Sequence, residues 1–274
     1  MKEIVFLNGK FLPAKEARLC VLTPGFLQGL GVFETLRWRN NKSVYLNAHL
    51  ARLEKSALSL EMKLSYGTKQ LKETLAEIVS VNGFSDAVLR IALWKTAKEA
   101  DLLITAKKHI PCPSSKYREG FSVCVSRYRQ NENSPLSRIK STSRFFYELS
   151  FSEARNNGFD EAIMLNNRGY IAEATRSNIF IVAKGVIFTP AITCGCLPGI
   201  TRQAVLDLAR IYRIETGEAA LTIQDLAEAE EAFLTNSVMG IMPLTSVDNK
   251  YIIGKGRCAR ITQFLISKYN SLLK

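Results

Sequence analysis

Glu173-Ala174-Thr175-Arg176-Ser177-Asn178-Ile179-Phe180 and, further on, Leu197-Pro198-Gly199-Ile200-Thr201-Arg202 are the stretches whose reading decides this chain. In the first, Tyr170 to Glu173 and Asn178 to Val182 read as two strands separated by a polar turn. An isolated acid at Glu173 would be an ordinary turn residue. In the second, a Pro-Gly turn delivers the chain into a helix expected over Thr201 to Tyr212. The N–H groups at such a start, with the macrodipole and a hydroxyl, form an anion site, and a simple Thr-capped helix is the plainer alternative.

Working outward, the chain reads as α+β. Phe121 to Tyr128 and Glu161 to Leu165 are expected strands, a hairpin returns through Gly185 to Phe188, and Glu231 to Leu244 forms a last sheet region. Helices are expected over Phe145 to Asn157 and Arg257 to Leu273. Toward the N-terminus, Ile4 to Leu7 closes at Asn8-Gly9, a hairpin signal because both residues tolerate positive φ. Val32 to Trp38 turns at Asn40-Asn41-Lys42 and resumes at Val44-Tyr45-Leu46. Asn47 then caps a helix with Leu50, Leu53, Ala57, Leu60 and Leu64 on one face. A second helix runs from Thr68, with Leu71, Leu75, Ile78 and Val79 inward, and stops at Asn82-Gly83, before strands at Ala87 to Trp94 and Asp101 to Thr105. Ile110-Pro111-Cys112-Pro113-Ser114-Ser115-Lys116 lacks periodicity and reads as a boundary. The expected organisation is a small domain over 1–112, a linker over 113–120 and a larger domain over 121–274.

With 274 residues, 47% hydrophobic and 23% charged, the chain falls in the soluble globular class and not the disordered one. Its formal charge of +12 raises three anionic partners: nucleic acid, membrane headgroups, or a small phosphate or carboxylate ligand. The basic residues are dispersed and no nucleic-acid module is present, so no nucleic-acid partner is expected. No apolar run approaches the roughly 20 residues that span a bilayer, and the N-terminus lacks a secretory signal, so no membrane partner and a cytoplasmic location are expected. The six cysteines are scattered, and Cys194-Gly195-Cys196 lacks the second pair or histidine that a zinc site needs. His49 and His109 give no multi-histidine cluster, and no metal is expected. Gly-rich nucleotide fingerprints are absent.

Other residues stand out locally. Arg90 interrupts an apolar strand, which requires either a partner for a buried guanidinium or an edge strand facing water. Phe33, Thr35 and Arg37 share one strand face, which reads in isolation as sheet-surface packing, with a pocket wall as the alternative. Lys140 lies within Ile139-Lys140-Ser141-Thr142-Ser143-Arg144, and a lysine becomes nucleophilic only when its surroundings lower its pKa.

The order of these segments resembles the class IV, or fold type IV, pyridoxal-phosphate enzymes: branched-chain and D-amino-acid aminotransferases and aminodeoxychorismate lyase. It includes Phe6-Leu7-Asn8-Gly9-Lys10, Gln28 to Arg37, His49-Leu50-Ala51-Arg52-Leu53, Lys140, Asp160-Glu161-Ala162, the two opening stretches, and Leu234-Thr235-Asn236-Ser237 before Met242-Pro243. The resemblance implies a two-domain α+β fold with pyridoxal 5'-phosphate in the interdomain cleft, and a homodimer. Lys140 would be the Schiff-base and proton-transfer lysine, and Glu173 would face the pyridine nitrogen. Arg52, Ile200, Thr201 and Ser237 would hold the phosphate, with Ser177 and Asn178 completing the cofactor set. Phe33, Thr35, Arg37, Arg90 and Arg144 are the candidate substrate residues.

Arg144, four residues after Lys140, and the missing tyrosine of the transaminase pattern resemble the lyases more closely. The expectation is therefore a lyase converting 4-amino-4-deoxychorismate to 4-aminobenzoate and pyruvate. Against it stand two departures where substrate is chosen: Leu30 replaces the family's usual Asp, and Thr96-Ala97-Lys98-Glu99 replaces a glycine-rich loop. The alternative is a class IV aminotransferase acting on branched-chain or D-amino acids with 2-oxoglutarate.

Overall fold

Asn8 and Gly9 both take positive φ, 47° and 90°, and the turn they make pairs strand β1 (Ile4–Leu7) with β2 (Lys10–Pro13). This hairpin opens a computed structural model in which residues 3–256 and 259–272 are described; Arg257 and Leu273, named above, and Cys258, one of the six cysteines, lie outside them. The chain divides into two compact units, one running to Ile110 and taking in Ile139–Ser143, the other holding Pro111–Arg138 and Arg144–Leu272.

In the first unit, β3 (Gly31–Arg39), β4 (Lys42–Ser43), β5 (Asp86–Lys95) and β6 (Ala100–Lys108) join the hairpin in a sheet of order β2-β1-β6-β5-β3-β4. After a short helix α1 (Pro24–Leu27), helices α2 (Leu46–Leu58) and α3 (Thr68–Val81) supply its apolar cover. Alternation along β3 sends Val32, Leu36 and Trp38 into one core cluster with Leu50, Leu53, Leu71, Leu75 and Ile78. Each leucine buried there contributes roughly 1.5–3 kcal/mol. Phe33, Thr35 and Arg37 consequently take the opposite face, with Arg90 directly across from Thr35. Val44-Tyr45-Leu46 is not a strand. Tyr45 turns left-handed, φ 56°, so the helix begins at Leu46 and Asn47 lies inside its first turn instead of capping it.

The second unit contains β7 (Phe121–Gln130), β8 (Glu161–Asn166), β9 (Ile171–Ala174), β10 (Asn178–Ala183), β11 (Val186–Pro190), β12 (Thr216–Ala219), β13 (Glu231–Asn236), β14 (Gly240–Val247) and β15 (Tyr251–Ile252). Their order is β12-β11-β10-β13-β14-β7-β8-β9, with β15 beside β14. Phe180 and Phe233, cross-strand partners on β10 and β13, stack 4.9 Å apart at its centre. The stretch expected as a linker, 113–120, instead holds helix α4 (Ser114–Glu119): Pro113 immediately precedes it, and Gly120, φ 79°, ends it. Helices α5 (Phe145–Asn156), α6 (Ile200–Ile211), α7 (Ile223–Glu228) and α8 (Arg260–Ser271) complete the unit. The start of α8 is capped from afar by the buried Glu231 carboxylate, which accepts from the N–H groups of Ile261 and Thr262.

Candidate active site

In the first unit, residues 139–143 run beside β3. The Phe33 N–H donates to the Lys140 carbonyl at 2.9 Å, and Ser141 pairs with Val32. The approach demands Gly31, because a Cβ there would lie 2.6 Å from Thr142 Oγ1 and 2.9 Å from the Leu93 carbonyl. Lys140 Nζ lies 4.9 Å from the Phe33 ring centre, and the Arg90 guanidinium lies 3.8 Å from it. Arg90 is exposed although β5 is an interior strand, so neither a buried guanidinium nor an edge strand describes it. Arg37 is bound in a bidentate pair to Asp86 at 3.0 and 2.7 Å. Thr35, half-buried, pairs with Arg90 on the neighbouring strand and stands two residues before Arg37 on β3.

Behind this face lies a cluster that motif reading passes over. Glu34, fully buried, accepts Arg52 Nε and Nη2 at 2.7 and 2.8 Å and faces His49 Nδ1 at 2.7 Å. Burial works to raise this carboxyl, but Arg52 and His49 overcome it and hold it at about 2. The signal was available in the sequence: Glu34 has the parity of Val32 and Leu36, and His49 and Arg52 are one helical turn apart.

In the second unit, Glu173 lies within the fully buried strand β9. Its Oε1 accepts the Tyr147 hydroxyl at 2.8 Å, and its Oε2 accepts the Leu197 N–H at 3.1 Å and Asn178 Nδ2 at 3.4 Å. Asn178 also donates to the Leu197 carbonyl at 2.9 Å and leaves no room for a side chain at residue 199, where a Cβ would fall 1.9 Å from its Oδ1. The turn is thereby fastened to β10. Gly199 is the N-cap of α6 and no side chain caps it; Thr201, expected at the cap, lies inside the first turn, buried, with its hydroxyl 3.4 Å from that of Ser237. Ser177 accepts from Asn236 at 3.3 Å, which ties the β9–β10 turn to the end of β13. Arg144 donates to the Thr175 carbonyl and lies 4.6 Å from the Tyr147 ring centre.

In the second unit, the uncapped N–H groups of Ile200 and Thr201 with two neighbouring hydroxyls fit a phosphate, and the buried Glu173 carboxylate fits a protonated ring nitrogen. In the first unit, considered by itself, a lysine beside an aromatic ring fits an aldehyde.

Residues 31–247 match the family model described as amino-transferase class IV. The chain is 30% identical to the branched-chain-amino-acid aminotransferase of Pseudomonas aeruginosa over 98% of this chain and 92% of that one. Among solved structures, the Escherichia coli branched-chain amino acid aminotransferase superposes with a TM-score of 0.94 at 27% identity, covering 100% of this chain and 95% of that one. The T.th. branched-chain amino acid aminotransferase with pyridoxamine 5'-phosphate superposes at 0.91 and 27% identity, covering 100% and 94%. These matches overturn the lyase expectation. Arg144, whose spacing suggested it, instead holds the Thr175 carbonyl and covers Tyr147.

Proposed function

Because the chain belongs to the class IV aminotransferases, enzymes that use pyridoxal 5'-phosphate, we propose that it transfers the amino group of branched-chain amino acids to 2-oxoglutarate. The observation that carries this reading is the branched-chain identity shared by a whole-length relative and by structures of the same fold. Bound cofactor supplies an aldehyde for the substrate amine and a ring that accepts electrons from the substrate carbon.

The residues then divide the work. Lys140 holds the cofactor and, as an amine, moves the proton at the substrate α-carbon. Glu173 holds negative charge at the ring nitrogen, with Asn178 and the Leu197 N–H orienting it. The Ile200 and Thr201 N–H groups, the Thr201 and Ser237 hydroxyls and the Arg52 guanidinium bind the phosphate. Glu34 and His49 orient Arg52 for that task. Phe33 offers apolar surface to an aliphatic side chain, and Arg90 offers a guanidinium to the second carboxylate of 2-oxoglutarate.

The cysteines of the described residues are unbridged, which supports a cytoplasmic enzyme. Leu22 and Phe26, 78% and 68% exposed, support a homodimer in which a second copy covers them. No described helix is long and apolar enough to cross a membrane.

The test is glutamate formation from leucine, isoleucine or valine with 2-oxoglutarate and the cofactor. Turnover is expected with all three. Turnover confined to D-amino acids, or none, would sink the proposal.

A further inference from the structure

The structure assigns Tyr147 as a positioning residue: by holding one oxygen of Glu173, its hydroxyl keeps the cofactor's ring proton on the ring nitrogen. This inference rests on the role of Glu173 proposed above.

Helix α5 sets the geometry. Phe145 and Phe146 on its first turn are exposed, whereas Tyr147 lies on the stripe with Ser150 and Ala154 that faces inward. Its hydroxyl therefore reaches Glu173 Oε1 at 2.8 Å, while the Leu197 N–H and Asn178 occupy Oε2. The resemblance implies a tyrosine for the cofactor's phenolic oxygen, but here the phenol after the lysine is engaged by the carboxylate.

The charged and titratable groups around this bond keep it a one-way donor. Burial, followed by the charge of Glu173 and the bond to it, pushes the Tyr147 phenol well above its ordinary range, and the Arg144 guanidinium opposes this without reversing it. Cys196, also close, is pushed up to about 12 by burial and by Glu173, so it stays a neutral thiol. At working pH Tyr147 keeps its proton and Glu173 accepts the bond.

A carboxylate that accepts hydrogen bonds is less basic than one without them. Beside a protonated pyridine, a less basic carboxylate leaves the proton on nitrogen and keeps its own charge there. Removing the phenol makes Glu173 more basic and draws that proton toward oxygen, which weakens the ring as an electron acceptor.

The test uses holoenzyme loaded with pyridoxal phosphate carrying nitrogen-15 in the ring. Glu173→Gln is expected to move the nitrogen signal far toward the unprotonated position, and Tyr147→Phe part of the way. Tyr147→Phe should also lower kcat about tenfold while substrate KM stays within about twofold. A 3-fluorotyrosine at position 147, a stronger donor that differs by one atom, should move the signal the other way and carries the test if the Phe variant does not fold. A nitrogen signal unmoved by both changes at 147, with Glu173→Gln still shifting it, overturns the role of Tyr147 alone. A signal unmoved by Glu173→Gln overturns the reading of Glu173 beneath it.

Discussion

Glu34 in the first sheet and Glu173 in the second are both buried carboxylates on strands, yet their surroundings differ in kind. Glu34 engages two guanidinium nitrogens and an imidazole, and the salt bridge sinks its carboxyl to about 2. Glu173 accepts from a phenol, an amide and a peptide N–H, neutral donors that orient its two oxygens. A cation-paired acid builds a scaffold, and an acid aimed by neutral donors can act on a cationic ligand. The comparison assigns Glu34 to positioning Arg52 and Glu173 to the cofactor ring.

The largest effect sets the scale for both. Lys140→Ala removes the amine itself, and amino transfer should fall by about a thousandfold or more, measured as glutamate formation with excess cofactor. Glu34→Gln comes next and strikes stability: leaving Arg52 without its carboxylate should cost about 3–5 kcal/mol in urea denaturation. A loss below about 1 kcal/mol would erase the contrast between the two acids.

The same group dictates an acid limb. Since folding lowers Glu34 from 4.5 to about 2, its contribution is complete above about pH 4.5 and disappears as pH falls toward 2. Roughly 3 kcal/mol of unfolding free energy should vanish across that window, and the Glu34→Gln variant should lack that part of the slope.

Glu173→Gln should reverse the pattern, lowering kcat about a hundredfold with stability changed by less than about 1 kcal/mol. Equal stability losses in the two variants would show that Glu173 is scaffold as well. The smallest effect belongs to Thr201→Ala, which should weaken binding of pyridoxal phosphate to the apoenzyme about tenfold in a fluorescence titration. An unchanged affinity would remove the hydroxyl from the phosphate site.

Much of this was legible locally. The Asn8-Gly9 hairpin, the inward stripe Leu71, Leu75, Ile78 and Val79 of α3, and the alternation of β3 follow from backbone preference and periodicity, which neighbouring residues determine. Helix α4 was missed because two prolines and two serines read as a linker, although Pro113 and Gly120 suit the two ends of a short helix. The helix start at Leu46 was missed because Tyr45, an aromatic, adopts a left-handed conformation that its type disfavours.

By itself the sequence determined the α+β class, the family and the residue types that carry the chemistry, because strand period, helix period and the two opening motifs are written along the chain. Only the tertiary structure decided that Glu34 and His49 hold Arg52, that Arg37 is bound to Asp86, and that Tyr147 belongs to Glu173. Glu34 stands 18 residues from Arg52 and 15 from His49, Arg37 stands 49 from Asp86, and Tyr147 stands 26 from Glu173. A side chain finds its partner through strand pairing and the packing of strands against helices, and one-dimensional spacing does not contain either.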